Sequence, residues 1–513
     1  MSVTGDCCIP SAGTFPSKES TTPFWRTEPH ALDTHRSTSE LPKSCDVLIV
    51  GGGYAGISTA YHILCDRKLR KKSDDLSIVL LEARQACSGA TARNGGHLRP
   101  SVYGRLPNYI EKFGVDAAVE VADFEFDHVQ ALATLVEQEQ IDCDFTITKS
   151  FSVYVNREEA AAAKEAYIRL KEAGIARTTL NDLEWTDEDR AEQVSGVKGC
   201  VGCFEFTAAH LWPYKLMMGL LQRAVESGLN LQTQTPATKI VKSTTEPKKW
   251  IISTPRGEII TSKIIFATNG YTAGLLPEYA SKIVPSKGIC CRIVYPADAP
   301  RLPLTKTYGL WLPNGSGDYL IPRNDNSLIV GGARSDFFHD LSTWHNRTDD
   351  DSLIEPARNY FDNYMQKHFI GWENSSAKVD SIWSGIMGYN SDSLPSVGPI
   401  PDREGCFIEA GFEGHGMPVI WLVARGIAEM ITTGKKYEEV RIPRIYRTTK
   451  ERLQSNVDDI IRCHKLASHR EAKNHVTDDL DPDSIKPENK TTNENKGPFV
   501  KIYEVQCLGE ALG

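Results

Sequence analysis

Gly51, Gly53 and Gly56 stand in a G-x-G-x-x-G spacing directly after a short apolar run, Val47, Leu48, Ile49 and Val50. Glycines at these three places suit one chemistry, the holding of a dinucleotide pyrophosphate on backbone. The first permits a tight turn, the second lets backbone approach the phosphates, and the third lets the next helix pack on the strand. Tyr54 and Ala55 open that helix, whose N-terminal N–H groups would point at the phosphates. The motif also requires an acidic residue at the end of the following strand to hold ribose hydroxyls. Ser77–Leu81 reads as that strand and Glu82 ends it, with Ala83 and Arg84 next along the same edge. The spacing from Gly56 to Glu82 exceeds the usual ~20 residues. The charged stretch Asp66–Asp75 reads as an extended connection that absorbs the excess.

Three further segments narrow the dinucleotide. The first is Ser88–His97, SGATARNGGH. Ser88, Gly89 and Thr91, around Arg93 and Asn94, suit a loop wrapped on a pyrophosphate and a ribityl chain. Gly95 and Gly96 admit a ring system close to backbone, for which a plain NAD domain has no use. The second is Lys263–Thr272, a buried strand that ends in Ala267-Thr268-Asn269-Gly270. Small and polar residues at the carboxyl edge of a parallel sheet form ligand crevices. Upstream, Ala237 lies at the start of a strand whose backbone suits adenine. The third is Cys406–Ile431, where a strand runs into Gly411-Phe412-Glu413-Gly414-His415-Gly416, then Met417 and a long amphipathic helix. Reduced flavin carries negative charge near its N1–C2=O edge, which a helix N-terminus stabilises. Together the three segments point to FAD.

The elements that must position these residues follow from the apolar periodicity. Helices are expected at Val115–Gln138, Arg157–Ala173, Pro213–Ser227, Leu353–Gln366 and Pro418–Thr432. Strands are expected at Ser150–Val155, Lys198–Phe206, Leu229–Thr235, Ala237–Lys242, Trp250–Thr254, Lys263–Ala267 and Gly405–Ala410. The fold class is α/β with α+β, a Rossmann-like FAD-binding domain interleaved with an antiparallel-sheet substrate domain. Residues 44–106, 229–283 and 385–435 would build the first, and 107–228 and 284–384 the second. Residues 1–43 read as a loosely ordered arm, 436–466 as an extension, and 467–513 as a disordered tail, polar and poor in apolar side chains.

The motifs resemble the D-amino-acid oxidase-like superfamily of FAD-dependent oxidoreductases, and within it the glycine/sarcosine oxidase and gamma-glutamylputrescine oxidoreductase group. The resemblance is carried by Ser88-Gly89-Ala90-Thr91-Ala92-Arg93-Asn94-Gly95-Gly96, by Gly411-Phe412-Glu413-Gly414-His415-Gly416, and by Trp383-Ser384-Gly385 with Asp392 and Pro395-Ser396-Val397-Gly398. An aromatic in the N-terminal arm belongs to the same pattern, here Phe24-Trp25. The resemblance spans roughly residues 40–435 and implies a GR2-type nucleotide-binding domain. It also implies removal of a hydride from a carbon bearing nitrogen, flavin N5 as acceptor, and hydrolysis of the imine product. Members with covalent flavin use a cysteine after the tryptophan, where this chain has Ile386-Met387-Gly388-Tyr389, or a histidine at a loop position occupied here by Arg93. Non-covalent FAD is therefore expected.

Pocket candidates follow from that chemistry. His97 and Arg99 come just after the flavin loop, and Arg99 suits a bidentate pair with a substrate carboxylate. Tyr319 and Arg323, four apart, would share a strand face. Trp383 would roof the flavin, and His415 would contact its edge. The substrate would be a small-molecule amine or amino acid, with oxygen as the electron acceptor. Oxidation of an alcohol or 2-hydroxy acid on the same scaffold is the alternative within enzymes, and a flavin-binding scaffold without turnover the alternative outside them.

Composition bounds the rest. The 513 residues suit two interleaved domains. A net charge of −9, with no basic patch interleaved with aromatics, argues against a nucleic-acid partner. No apolar stretch reaches the ~18 residues of a membrane span, and residues 1–23 lack the apolar core of a signal peptide. Thirteen scattered cysteines read as reduced thiols. Cys200-Val-Gly-Cys203 lacks the second pair that a zinc site needs. No metal and a cytoplasmic location are expected.

Overall fold

Val47 to Val50 are all buried because their strand, Ser44–Val50, lies inside a parallel sheet with a neighbour on each side. The computed structural model describes residues 15–66, 76–101, 103–296, 304–312 and 317–466. Within them the chain forms two sheets. The first runs in the order Ser396–Pro399, Cys406–Ala410, Gly257–Phe266, Ser44–Val50, Ile78–Leu81, Asn230–Gln232. All its neighbours are parallel except the edge pair Ser396–Pro399 and Cys406–Ala410. Lys239–Lys242 and Trp250–Thr254 add an antiparallel meander to the outer half of Gly257–Phe266. The Tyr54–Leu64 helix packs against the Pro213–Glu226 and Ile420–Thr433 helices. It is buried along nearly its whole length, which its small side chains Ala55, Gly56, Ser58, Thr59 and Ala60 permit. This is a Rossmann-like architecture.

The second sheet has nine strands, in the order Lys378–Asn390, Ile283–Val294, Ser327–Gly331, Gly317–Pro322, Thr307–Trp311, Thr146–Tyr154, Gly202–His210, His97–Leu98, with Glu184–Asp187 also on Gly202–His210. It is antiparallel except for one parallel pair, Thr307–Trp311 with Thr146–Tyr154. The chain visits the two sheets alternately. Lys378–Asn390 pairs with Ile283–Val294 along almost its full length, so an unbroken strand crosses the boundary expected at residues 384 and 385. His97–Leu98, expected in the nucleotide domain, pairs into the second sheet.

Several expectations need correction. The part of the N-terminal arm that is described is not loose. Phe24 is 7% and Trp25 0% exposed, both packed on Trp212, and burying such a side chain contributes about 1.5–3 kcal/mol. The expected Leu353–Gln366 helix is a 3-10 turn at Glu355–Ala357 and a short helix at Tyr364–His368. Asn363, in the left-handed region, separates the two. The extended strand at Lys198–Phe206 is shifted to Gly202–His210. Most of the Asp66–Asp75 connection and all of the 467–513 tail lie outside the described residues. Among the described residues no helix is long and apolar enough to cross a membrane, and the cysteines are free thiols.

Candidate active site

The carboxyl edge of the first sheet opens into a cavity of about 360 Å³ that is also lined from the second sheet. Gly51, Gly53, Tyr54 and Ala55 form one end. Gly51 has φ +112°, and a Cβ there would lie 2.4 Å from the Ala267 carbonyl oxygen. A Cβ on Gly56 would lie 2.0 Å from the Gly51 carbonyl oxygen and 3.0 Å from Ile49 Cγ2. Gly56 therefore acts by letting the helix meet the strand, and it does not line the cavity. Gly53 caps the Tyr54–Leu64 helix without a side chain of its own. Instead Thr91 Oγ1 accepts the Tyr54 N–H at 2.8 Å. Glu82 accepts the N–H of Gly52 at 2.7 Å and that of Arg84 at 2.8 Å, while burial raises its carboxyl above the usual range. A helix N-terminus, backbone free of side chains and a carboxylate together fit the pyrophosphate and ribose of FAD.

The loop that follows is built differently from expectation. Arg93, 3% exposed, gives its donors to the carbonyls of Ser88 (2.8 Å), Ser384 (2.7 Å) and Thr21 (2.7 Å) and to the Thr21 hydroxyl (2.9 Å). Asp350, with no exposed surface, pairs with Arg84 through both guanidinium NH groups and with Arg93 Nε at 3.2 Å. Arg93 lines the cavity but its hydrogen bonds are structural. Ser88 does not line the cavity. Trp383 is fully buried with its Nε1–H on the Arg93 carbonyl oxygen, so it supports the loop from behind and roofs nothing. Gly96 also lies off the cavity, packed on Trp25. Gly89, Thr91, Asn94 and Gly95 line it, and a Cβ on Gly95 would lie 2.4 Å from the Tyr319 ring.

At the opposite wall, Ala237, Thr268 and Asn269 face the cavity together with Gly414, His415, Gly416 and Met417. Asn269 Oδ1 accepts the Gly411 N–H at 2.9 Å, which clasps two strand ends. Gly270 and Gly411 are spent on packing, against the Met387 carbonyl and the Asn390 amide respectively. The helix after the glycines begins at Ile420, capped by Val419. The Gly411–Gly416 run is thus a turn ahead of the helix and not its first residues.

On the substrate side, His97, Arg99 and Tyr319 line the cavity. Arg99 donates to the hydroxyls of Ser150 (3.2 Å) and Ser152, and its guanidinium lies 4.8 Å from the Phe206 ring centroid and 5.8 Å from that of Trp311. His97 Nε2 meets the Thr307 hydroxyl at 2.8 Å. Burial, then Arg99, hold this imidazole well below its ordinary value. The Tyr319 hydroxyl meets Cys290 Sγ at 2.8 Å. Arg323 is not a pocket residue. It lies past the end of the Gly317–Pro322 strand, over Trp25 and Trp212, and pairs with Asp144 at 2.6 Å. His415 Nε2 meets Glu125 Oε2 at 2.8 Å.

Sequence reasoning missed Cys290, Lys287, Arg334 and Glu125. The first three line the cavity, but they sit in or beside ordinary strands with no motif to mark them. Glu125 lies in a helix whose polar residues look like a solvated face. Among the described residues no cluster of three or more His, Cys, Asp or Glu side chains could hold a metal ion.

A Rossmann-like sheet with a glycine cradle, sharing one cavity with an antiparallel sheet, fits a flavin-dependent oxidoreductase. The profile of the family described as DAO, FAD dependent oxidoreductase, matches residues 46–430, and the chain belongs to that family. Gamma-glutamylputrescine oxidoreductase of Escherichia coli (strain K12) is 25% identical over 393 residues, 76% of this chain and 84% of its own length. Among solved structures, glycine oxidase from Geobacillus kaustophilus superposes with a TM-score of 0.63 at 18% identity, over 80% of this chain and 99% of its own. L-Proline dehydrogenase from P. horikoshii gives 0.61 at 19% identity, over 79% and 98%.

Proposed function

We propose that this enzyme oxidises the C–N bond of an amine or amino acid, holds the substrate's carboxylate on Arg99, binds FAD non-covalently, and uses oxygen to regenerate it. The observation that carries this reading is Arg99. It is a cavity-lining guanidinium held by two serine hydroxyls and two aromatic faces, with no carboxylate in ion-pair contact among the described residues. A fork fixed in this way is preorganised for a bidentate carboxylate. Bound FAD supplies the hydride acceptor. Arg99 orients the substrate, and its positive charge disfavours the ammonium form of an amine beside it. His97, kept neutral by burial, adds no second charge. Tyr319, locked to Cys290 under Gly95, forms a rigid wall. The names of the E. coli relative and of the glycine oxidase and proline dehydrogenase neighbours support a nitrogen-bearing substrate.

The test is anaerobic mixing of the yellow protein with panels of amines, amino acids and 2-hydroxy acids. Loss of the yellow absorbance with amino acids, followed by its return and oxygen consumption on aeration, is the expected result. Bleaching by 2-hydroxy acids alone, or by nothing, overturns the reading. Acid precipitation should leave the colour in the supernatant, and colour in the pellet would mean a covalent bond.

A further inference from the structure

Glu125 belongs to no motif and takes no part in the reaction above, yet it holds His415. It lies in the Val115–Glu139 helix and is 1% exposed. Its Oε2 accepts the Ser101 N–H at 2.8 Å and meets His415 Nε2 at 2.8 Å. The same oxygen therefore bridges a backbone donor and the imidazole. No described residue offers a hydrogen-bond partner to Nδ1, and the side chain lines the cavity. His97 and His128 also face this ring, and burial drives the first well below its ordinary value and the second down to about 3. Neither competes for a proton. On the same turn Glu413 is raised well above the carboxylate range by burial. Tyr109 and Tyr446 are in electrostatic contact with Glu125, and both also with Arg105.

We propose that Glu125 is a positioning residue that orients His415 at the cavity wall, and that the oriented imidazole favours the reduced form of bound FAD. A carboxylate behind an imidazole does the same in hydrolytic triads, where it holds the ring in its working orientation. A preorganised polar group of this kind acts most strongly where charge develops. The proposal rests on the enzyme being FAD-dependent and not on which substrate it takes.

The experiment is a dye-coupled reductive titration of the FAD-loaded protein, which needs no substrate and therefore separates failure here from failure of the amine reading. Glu125→Gln should move the two-electron equilibrium against reduction by about tenfold, a potential about 30 mV more negative. Glu125→Asp, which keeps the charge, should recover part of the shift. His415→Gln should match Glu125→Gln, and the double variant should be no worse than either single one. A wild-type potential in Glu125→Gln would make Glu125 a structural strut only and overturn the proposal. So would additive effects in the double variant. If Glu125→Gln fails to fold, His415→Gln alone decides, and a wild-type potential there overturns the proposal equally.

Discussion

Arg99 and Glu82 are both charged side chains at the cavity, and they are held in different ways. Arg99 is braced by hydroxyls and aromatic faces, which leaves its charge available. Replacing it by Ala should raise KM for carboxylated amines at least tenfold, since hydrogen bonds to charged groups contribute ~1.5–3 kcal/mol each. Amines without a carboxylate should be almost unaffected, and an equal loss on both would remove Arg99 from substrate binding. Glu82 instead fixes the Gly52 and Arg84 N–H groups. Glu82→Ala should weaken FAD binding by a similar factor, measured by titrating apoprotein, and unchanged affinity would show that the acid is misassigned. Glu409 is a third case. It is fully buried behind the Tyr54–Leu64 helix, bonded to the Thr59 hydroxyl at 2.8 Å, with burial pushing its carboxyl up to about 8. A carboxyl raised on folding stabilises fully below its unfolded value and loses that contribution as pH rises through the folded one. Thermal stability should therefore fall between about pH 4.5 and pH 8 by more in the wild type than in Glu409→Gln, and parallel curves would assign the loss to other groups. At this scale the sequence disclosed residues whose type is dictated by backbone geometry, such as Gly51 and Gly56. Glu125, Cys290 and Lys287 stayed hidden because nothing local distinguishes a helix or strand residue aimed at the interior from one aimed at solvent.

Between elements, the informative contacts join segments far apart in sequence. Thr91 satisfies the first N–H of the Tyr54–Leu64 helix, a cap that the glycine motif cannot supply for itself. Thr91→Val should leave that buried donor unpaired and cost about 1–3 kcal/mol, read as a lower unfolding temperature together with weaker FAD binding. Thr91→Ser should behave as wild type, and a stable Thr91→Val would deny the cap. Element type was largely legible from periodicity, as at Val115–Glu139, Pro213–Glu226 and Trp250–Thr254. Element ends were not. The Ile420–Thr433 helix starts late because the Gly411–Gly416 turn is occupied with clasping Asn269 and Asn390. The Leu353–Gln366 pattern of apolar residues packs around a left-handed Asn363 that no helix could contain.

For the whole molecule, the Arg84–Asp350–Arg93 triad joins segments from both sheets to the N-terminal segment, through the Thr21 N–H on the Asp350 carbonyl oxygen and Thr21 on Arg93. Breaking one side of a buried ion pair costs about 3–5 kcal/mol. Asp350→Asn should lower the unfolding temperature and expose the chain ahead of Phe24 to limited proteolysis, and an intact cleavage pattern would show that other contacts suffice. Phe15 and Pro16 line the cavity beside this triad, so the same variant should also release FAD faster.

The interleaving of the two sheets has a consequence in time. Strand Gly257–Phe266 pairs on one side with Ser44–Val50 and on the other with Cys406–Ala410. The cavity wall is completed only by Gly414 to Ile420. At about 5–20 residues per second, the ribosome spends on the order of 20–70 s between delivering the first glycine of the cradle and delivering its far wall. For that interval the Tyr54–Leu64 helix lacks its Ile420–Thr433 partner. The complete FAD cradle therefore exists only after residue 420 has been made.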